Sequence, residues 1–118
     1  MSDRITLKGL RVRGFHGVLP EERRDGQDFV VDVVLALDLA PAAATDDVAD
    51  TVHYGELAER LAAVVAGEPV DLVETLADRL ATICLSYDRV QRAEVTVHKP
   101  SAPIPLSFDD VSVTLVRP

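Results

Sequence analysis

The apolar residues near the start of the chain alternate with polar ones, and the alternation changes parity once. Ile5 and Leu7 are apolar at odd positions, whereas Leu10 and Val12 are apolar at even positions. Alternation of this kind is typical of a β-strand with one buried face. The one-residue shift predicts a β-bulge at Gly9 within that strand.

Three later segments also alternate. Every odd position is apolar over residues 29–39, and some even positions are apolar too, which is typical of a strand covered on both faces. Residues 93–97 and 111–115 predict two further strands. The polar segments 14–27 and 40–50 are interpreted as connecting loops.

The apolar period changes to that of a helix in the middle of the chain. Residues 54–66 carry apolar side chains on one helical face, which predicts a first helix. A second helix is predicted to begin at about Leu72, because Asp71 and Glu74 fit a capping box with Asp71 as the cap.

The predicted order of elements is ββααββ, which indicates an α+β fold in a single domain, residues 1–118. Two hairpins can form a four-stranded antiparallel sheet with the two helices on one face. The other face and both long edges of the sheet would then be uncovered. We therefore expect a homo-oligomer that assembles through the sheet.

Composition and charge argue against a nucleic-acid partner and against a membrane span. The 118 residues include 20 acidic and 12 basic side chains, a net charge of −8, so no basic surface is expected to bind nucleic acid. The longest apolar run, residues 61–67, is far shorter than the roughly 20 residues of a membrane span. Cys84 is the single cysteine and is expected in the core. With no secretory signal pattern at the N-terminus, we expect a soluble, cytoplasmic protein.

Four polar residues are candidates for chemistry, and each has a structural alternative. Lys99 continues the inward parity of the preceding strand, so it either extends to solvent from the strand end or acts as a buried acid–base group. Glu74 either caps the second helix or accepts hydrogen bonds from the N–H groups of a bound heterocycle. In the second case the free backbone N–H groups at the start of the helix lie beside the carboxylate. Tyr54 is either a packing residue or a phenol with its hydroxyl in a pocket. Glu22 lies in the charged segment 20–24, which is either an ordinary solvated charge run or part of a polar pocket. Spacing alone leaves the chemistry open.

The histidines do not form a recognisable metal motif. His16, His53 and His98 are scattered along the chain, without a spacing that metal sites use. The chain also lacks a glycine-rich phosphate loop and a nucleophile elbow. We expect no metal and no cofactor.

Five segments, taken in order, resemble the signature blocks of the dihydroneopterin aldolase family. They are residues 14–23 (GFHGVLPEER), 26–29 (GQDF), 50–57 (DTVHYGEL), 72–77 (LVETLA) and 99–105 (KPSAPIP). The resemblance extends over residues 5–117. It implies the tunnelling fold, in which the sheets of ββααββ subunits join into an oligomeric barrel. It also implies a homo-octamer of two stacked tetrameric rings, with active sites at the subunit interfaces.

The resemblance further implies a reaction of folate biosynthesis. The family cleaves 7,8-dihydroneopterin, a pterin, to 6-hydroxymethyl-7,8-dihydropterin and glycolaldehyde in a retro-aldol reaction. The dihydropterin ring contains a C=N bond next to the breaking bond, and protonation of its nitrogen lets that bond accept the electrons. Neither a metal nor a Schiff base is therefore implied, and the lysine is left for acid–base work.

The substrate-binding roles that the resemblance implies centre on Glu74. This residue matches the family glutamate that accepts hydrogen bonds from the ring N–H and exocyclic amine of the pterin, and the backbone of Leu72 and Val73 adds contacts. Asp71 departs from the family pattern, where asparagine is frequent. We interpret Asp71 as a helix cap that places a second negative charge near Glu74.

The catalytic roles that the resemblance implies fall on three residues. Lys99 matches the acid–base lysine near the ring nitrogen, and Glu22 matches the glutamate beside it. Tyr54 matches the tyrosine that hydrogen-bonds the side-chain hydroxyl of the substrate and helps to protonate the enamine carbon. A segment that reaches the pocket from the neighbouring subunit is matched by Thr51, Val52 and His53.

Three other functions stay open at this point. An epimerase acting on dihydroneopterin or its triphosphate would use the same bond cleavage, and an oxygenase side activity would use the same electron-rich intermediate. A non-catalytic pterin- or purine-binding ring protein would need Glu74 but not Lys99, Tyr54 and Glu22 together. The joint presence of these residues favours the aldolase.

Overall fold

A computed structural model describes residues 3–118, in which the strands and helices follow the predicted order with short helices added. The elements are β1 (Arg4–Gly14), α1 (Pro20–Asp25), β2 (Gln27–Ala36), α2 (Ala40–Thr45), a 3-10 turn (Val48–Asp50), α3 (Tyr54–Ala66), α4 (Val73–Leu85), β3 (Arg92–His98) and β4 (Ser112–Arg117). The four strands pair antiparallel in the order β1–β2–β3–β4. The predicted α+β fold with a four-stranded antiparallel sheet is confirmed.

The predicted bulge in β1 is also confirmed. The register between β1 and β2 shifts by one residue between Leu7 and Leu10. Gly9 lies within the shift at a φ of 77°, in the left-handed region that favours glycine. Its N–H donates to Oδ1 of Asp32 at 2.8 Å, so the backbone group that the bulge frees still has a partner.

Helices α3 and α4 cover one face of the sheet, as predicted. α3 packs against β1, and α4 packs against β3 and β4. The apolar inward-facing residues of β2 are fully buried beneath them. Cys84 belongs to this core, and burial raises the pKa of its thiol to about 11. None of the helices over residues 3–118 is both long and apolar enough to cross a membrane.

The segments predicted as loops contain short helices, so that prediction was wrong. α1 has a proline near its N-terminus, acidic side chains in its first turn and basic ones in its last, an order that complements the helix dipole. α2 also begins with a proline in its first turn. Each helix has six residues, which is too short for apolar periodicity to show. β2 also begins and ends earlier than predicted, at Gln27 and Ala36.

The start of α4 differs from the prediction. Leu72 is the N-cap residue, without a side-chain capping hydrogen bond, so Asp71 is not the cap and the capping box with Glu74 is wrong. The Asp71 carboxylate instead pairs with Arg23 of α1, with 2.5 Å between Nη2 and Oδ1. The Asp71 carboxylate, which the local sequence pattern predicted as the cap of α4, therefore binds an arginine that is distant in sequence.

A polar network fixes the end of β3. The His98 imidazole lies between two carboxylates, with Nε2 2.7 Å from Oδ2 of Asp32 and Nδ1 2.6 Å from Oδ2 of Asp110. These two carboxylates raise the pKa of His98. The next residue is Lys99, whose backbone N–H donates to the carbonyl of Val111 at 2.7 Å. The network therefore holds the backbone from which the lysine side chain extends.

Candidate active site

Lys99 and Glu22 form a buried ion pair. The Lys99 Nζ lies 2.5 Å from Oε2 of Glu22, and their side chains are only 12% and 7% exposed. Lys99 follows β3 and Glu22 belongs to α1, so the pair joins elements that are remote in sequence. The inward orientation predicted for Lys99 is confirmed, and Glu22 is not part of a solvated charge run.

The Glu22 carboxylate is held from several other directions. The backbone N–H of Leu19 donates to Oε1 at 3.2 Å, and Nε2 of Gln27 donates to Oε2 at 3.1 Å. On a further side lies Gly17, where a Cβ atom would overlap the carboxylate and where φ is 149°. Only glycine fits this position, because a side chain would displace the carboxylate.

The electrostatics of the pair favour the ionised form of Glu22. Burial alone would raise the pKa of the Glu22 carboxyl. Hydrogen bonds from Lys99, from the Leu19 N–H and from Gln27 outweigh it, and the pKa lies below its ordinary value. At neutral pH the carboxylate therefore holds the Lys99 amine in one place, where it can donate a proton to a bound molecule.

His16 connects this pair to the helical layer. The backbone N–H of Val70 donates to Nδ1 of His16 at 3.1 Å, so Nε2 carries the proton and donates to the carbonyl of Val65 at 2.6 Å. Burial lowers the pKa of His16, which agrees with this neutral tautomer. Gly17 adds an N–H bond to the Val70 carbonyl at 2.9 Å. The end of α3 and the loop before α4 are thereby fixed beside Glu22.

Arg23 provides a second connection to the start of α4. Its Nε donates to the carbonyl of Gly17 at 3.0 Å, and its Nη2 reaches Asp71. Both side chains of the Arg23–Asp71 pair are partly exposed, so the pair contributes modestly to stability. It nevertheless neutralises Asp71, and the second negative charge expected near Glu74 is therefore compensated.

Glu74, Leu72 and Val73 lie at the same end of the molecule as the ion pair. Glu74 is exposed in the first turn of α4, where backbone N–H groups have no helical partner. Leu72 is 51% exposed and lines an open cleft together with Val18 and Arg23. An exposed carboxylate beside free N–H groups can bind a flat heterocycle that carries adjacent donors. We call the region where α3 ends, α4 begins and Glu22 meets Lys99 the site end.

The other predicted residues are located at the opposite end of α3. Thr51, Val52, His53 and Tyr54 line a separate open cavity. Tyr54 is 64% exposed, whereas Val52 is buried in the core, so its side chain is not available to a ligand. His53 is the N-cap of α3, where its Nδ1 accepts the N–H of Glu56 at 3.1 Å.

The two groups are too far apart to meet within one chain. At about 1.5 Å per residue, Val65, which contacts His16 at the site end, lies about 17 Å along α3 from Tyr54. One chain therefore brings Glu22, Lys99 and the start of α4 together, but it does not bring Tyr54 to them.

Sequence reasoning missed Gln27, Arg23 and His16 as site residues. Gln27 had a usable signal, because it continues the inward odd parity of β2, just as Lys99 does on β3. The predicted strand began two residues too late to include it. Arg23 and His16 had no comparable signal, because their partners are about fifty residues away in sequence.

The part of the chain that the structure describes contains no group of three or more His, Cys, Asp or Glu side chains placed to hold a metal ion.

Comparison with known proteins yields consistent matches. Residues 5–116 match the family model for FolB, dihydroneopterin aldolase. A dihydroneopterin aldolase of Streptomyces coelicolor is 62% identical over 115 residues, covering 98% of this chain and 97% of the relative. Another, of Bacillus subtilis, is 42% identical over 116 residues, covering 98% of this chain and 97% of the relative.

A solved structure shares the whole fold. The structure of E. coli dihydroneopterin aldolase in complex with neopterin superposes with a TM-score of 0.89 at 30% identity, covering 98% of this chain and 99% of the other. Because the superposition covers nearly all of both chains, it includes the four strands and the helices described above.

Proposed function

The chain belongs to the dihydroneopterin aldolase family of aldehyde-lyases, and from this we propose that it cleaves 7,8-dihydroneopterin in the cytoplasm by a metal- and Schiff-base-independent retro-aldol reaction. The observation that carries the proposal is the buried Glu22–Lys99 pair beside the exposed start of α4. The products are 6-hydroxymethyl-7,8-dihydropterin and glycolaldehyde.

In the proposed complex, Glu74 binds the pterin ring. Its carboxylate accepts hydrogen bonds from the ring N–H and the exocyclic amine, and two parallel bonds of this kind orient a flat ring. The backbone of Leu72 and Val73 adds contacts where N–H groups have no helical partner. The neopterin bound to the E. coli relative supports a ligand of this class.

The proposed chemistry uses Lys99 as the proton donor, held in place by Glu22. Lys99 protonates the ring nitrogen of the C=N bond, directly or through a water molecule. The hydroxyl group on the second side-chain carbon gives its proton to a water molecule, and the bond between the first and second side-chain carbons breaks to release glycolaldehyde. The electron pair of that bond enters the ring system as an enamine. Its exocyclic carbon then takes up the proton from that water, and the ring nitrogen returns its own proton to Lys99, which restores the C=N bond in the hydroxymethyl product.

We propose that Tyr54 reaches this site from a neighbouring subunit. Tyr54 lies about 17 Å along α3 from the site end of its own chain, so a second copy must supply the tyrosine. Thr51, Val52 and His53 arrive with it. The uncovered sheet edges and the family resemblance favour an octamer of two stacked tetrameric rings, with the sheets joined into a barrel.

The proposed reaction is tested by product analysis. The purified protein is incubated with 7,8-dihydroneopterin and excess EDTA, and glycolaldehyde and the pterin product are quantified by chromatography. We expect equal amounts of both products and no lysine adduct after borohydride treatment. Activity that appears only with added zinc, or a borohydride adduct on Lys99, contradicts the mechanism. A stereoisomer of the substrate as the main product would indicate an epimerase, and an oxidised pterin an oxygenase.

Subunit mixing tests the shared site. Lys99→Met and Tyr54→Phe subunits are each expected to be nearly inactive alone. After they are dissociated and reassembled together in equal amounts, about a quarter of interfaces unite an intact Lys99 with an intact Tyr54, and activity recovers to about that fraction. If each site were built from one chain, every site would keep a defect and mixing would restore nothing.

A further inference from the structure

Among residues 3–118, Gln27 alone has a buried side-chain oxygen or nitrogen without a hydrogen-bond partner. The residue is only 9% exposed, and its Nε2 donates to Oε2 of Glu22 at 3.1 Å. Because a carboxylate only accepts hydrogen bonds, Nε2 must face Glu22, and the position of Oε1 is thereby fixed. Oε1 is buried and has no donor within residues 3–118.

This arrangement is unfavourable for the folded chain. A buried acceptor without a donor retains its desolvation cost, and an apolar side chain of the same volume would avoid it. The next inward-facing residues of β2, Phe29 and Val31, are apolar and fully buried. Stability alone therefore does not account for glutamine at the first inward position of this strand.

We propose that Gln27 is a positioning residue, which holds the Glu22 carboxylate in the orientation that presents the Lys99 amine to the substrate. The inference rests on the proposed function, because it assigns Gln27 a task in the same proton transfer. Gln27 pairs with Gly14 where β1 ends and β2 begins, so its backbone is fixed by the sheet. Because this backbone is fixed, the hydrogen bond from the Gln27 side chain holds the Glu22 carboxylate in one position.

The charged groups around the carboxylate allow a selective measurement. Lys99 faces Glu22 from the end of β3, Arg23 follows it on α1, and His16 is the nearby titratable group on the β1–α1 connection. Removal of the Gln27 donor changes one hydrogen bond to Glu22 and leaves these groups in place. The titration of Glu22 should then shift upward, because one bond that favours the carboxylate is lost.

The experiment compares Gln27→Met with Gln91→Met, a matched control at an exposed position before β3. For Gln27→Met we expect kcat about tenfold lower, KM within about twofold, and the acid limb of the kcat profile about one pH unit higher. The melting temperature should be unchanged or higher, because the unpartnered acceptor is removed. Gln91→Met should match the wild type in all four measurements.

Two further measurements separate this inference from the proposed function. Glu22 is titrated directly by 13C NMR of protein labelled at the glutamate δ-carbon, with Glu22→Gln to identify its signal, and the pKa should rise in Gln27→Met. This readout decides the role of Gln27 even if the wild type does not cleave 7,8-dihydroneopterin, a result that would overturn only the proposed function. A Gln27→Met protein with an unchanged Glu22 titration, or with normal kcat and a lower melting temperature, would show that Gln27 is merely structural.

Discussion

Replacement of Lys99 by methionine is expected to lower kcat about a thousandfold, because it removes the amine that protonates the ring nitrogen in the proposed mechanism. Methionine preserves most of the buried volume at a side chain that is 12% exposed. The Kd for neopterin should change by less than about threefold, since in the proposed complex Lys99 acts on the reacting atoms and Glu74 anchors the pterin. Single-turnover kinetics and equilibrium titration with neopterin measure the two quantities separately.

The control for Lys99→Met uses the other lysine of the chain. Lys8 lies on β1 and is exposed, so Lys8→Met removes the same charge outside the site and should retain wild-type kcat. Because Lys99→Met leaves Glu22 as a buried carboxylate without its cation, the melting temperature of each variant is recorded. A folded Lys99→Met protein with more than a tenth of the wild-type kcat would exclude Lys99 as the proton donor.

Replacement of Glu74 by glutamine is expected to have the opposite kinetic signature. The substitution keeps the shape of the side chain but removes the charge and half of the acceptor pair. The loss of one hydrogen bond, and of the charge that strengthens the other, should weaken neopterin binding about a hundredfold to a thousandfold. At saturating substrate, kcat should stay within about fivefold of the wild type, because the Lys99–Glu22 pair is intact.

Glu68→Gln is the matched control for Glu74→Gln. Glu68 is exposed in the loop between α3 and α4, at the site end but outside the proposed pterin contacts. Its replacement changes the net charge by the same amount and should leave neopterin affinity unchanged. If both variants weaken binding equally, the loss is a general charge effect and Glu74 is not the anchor.

Local pattern predicted the sheet and the main helices because each has a period that is visible in sequence. The sequence predicted both the bulge at Gly9 and the inward orientation of Lys99, because side chains in a strand alternate between the two faces regardless of distant contacts. The short helix α1 was not predicted, although it supplies Glu22. Its stability comes from its ends and from tertiary contacts rather than from an apolar face.

The missed parts of the site depend on contacts between distant residues. Asp71 fits a helix cap locally, but Arg23, which lies 48 positions earlier, binds its carboxylate. Burial keeps His16 neutral by lowering its pKa, and its tautomer is set by the N–H of Val70 and the carbonyl of Val65, which reach it only after folding. Sequence pattern named the candidate residues Glu22, Lys99 and Glu74 but not the connections that hold them together.

Helix α3 has a consequence that extends beyond one subunit. In the proposed assembly its first residue, Tyr54, serves the neighbour's site, while His16 clamps its last turn at its own site. The length of this 13-residue helix would then determine the distance between neighbouring active sites in the ring. An insertion of one turn would displace the tyrosine by about 5.4 Å, so in the proposed assembly the helix length would be constrained by catalysis as well as by packing. A change in the size of the ring would then require a matching change in the position of the Tyr54 hydroxyl.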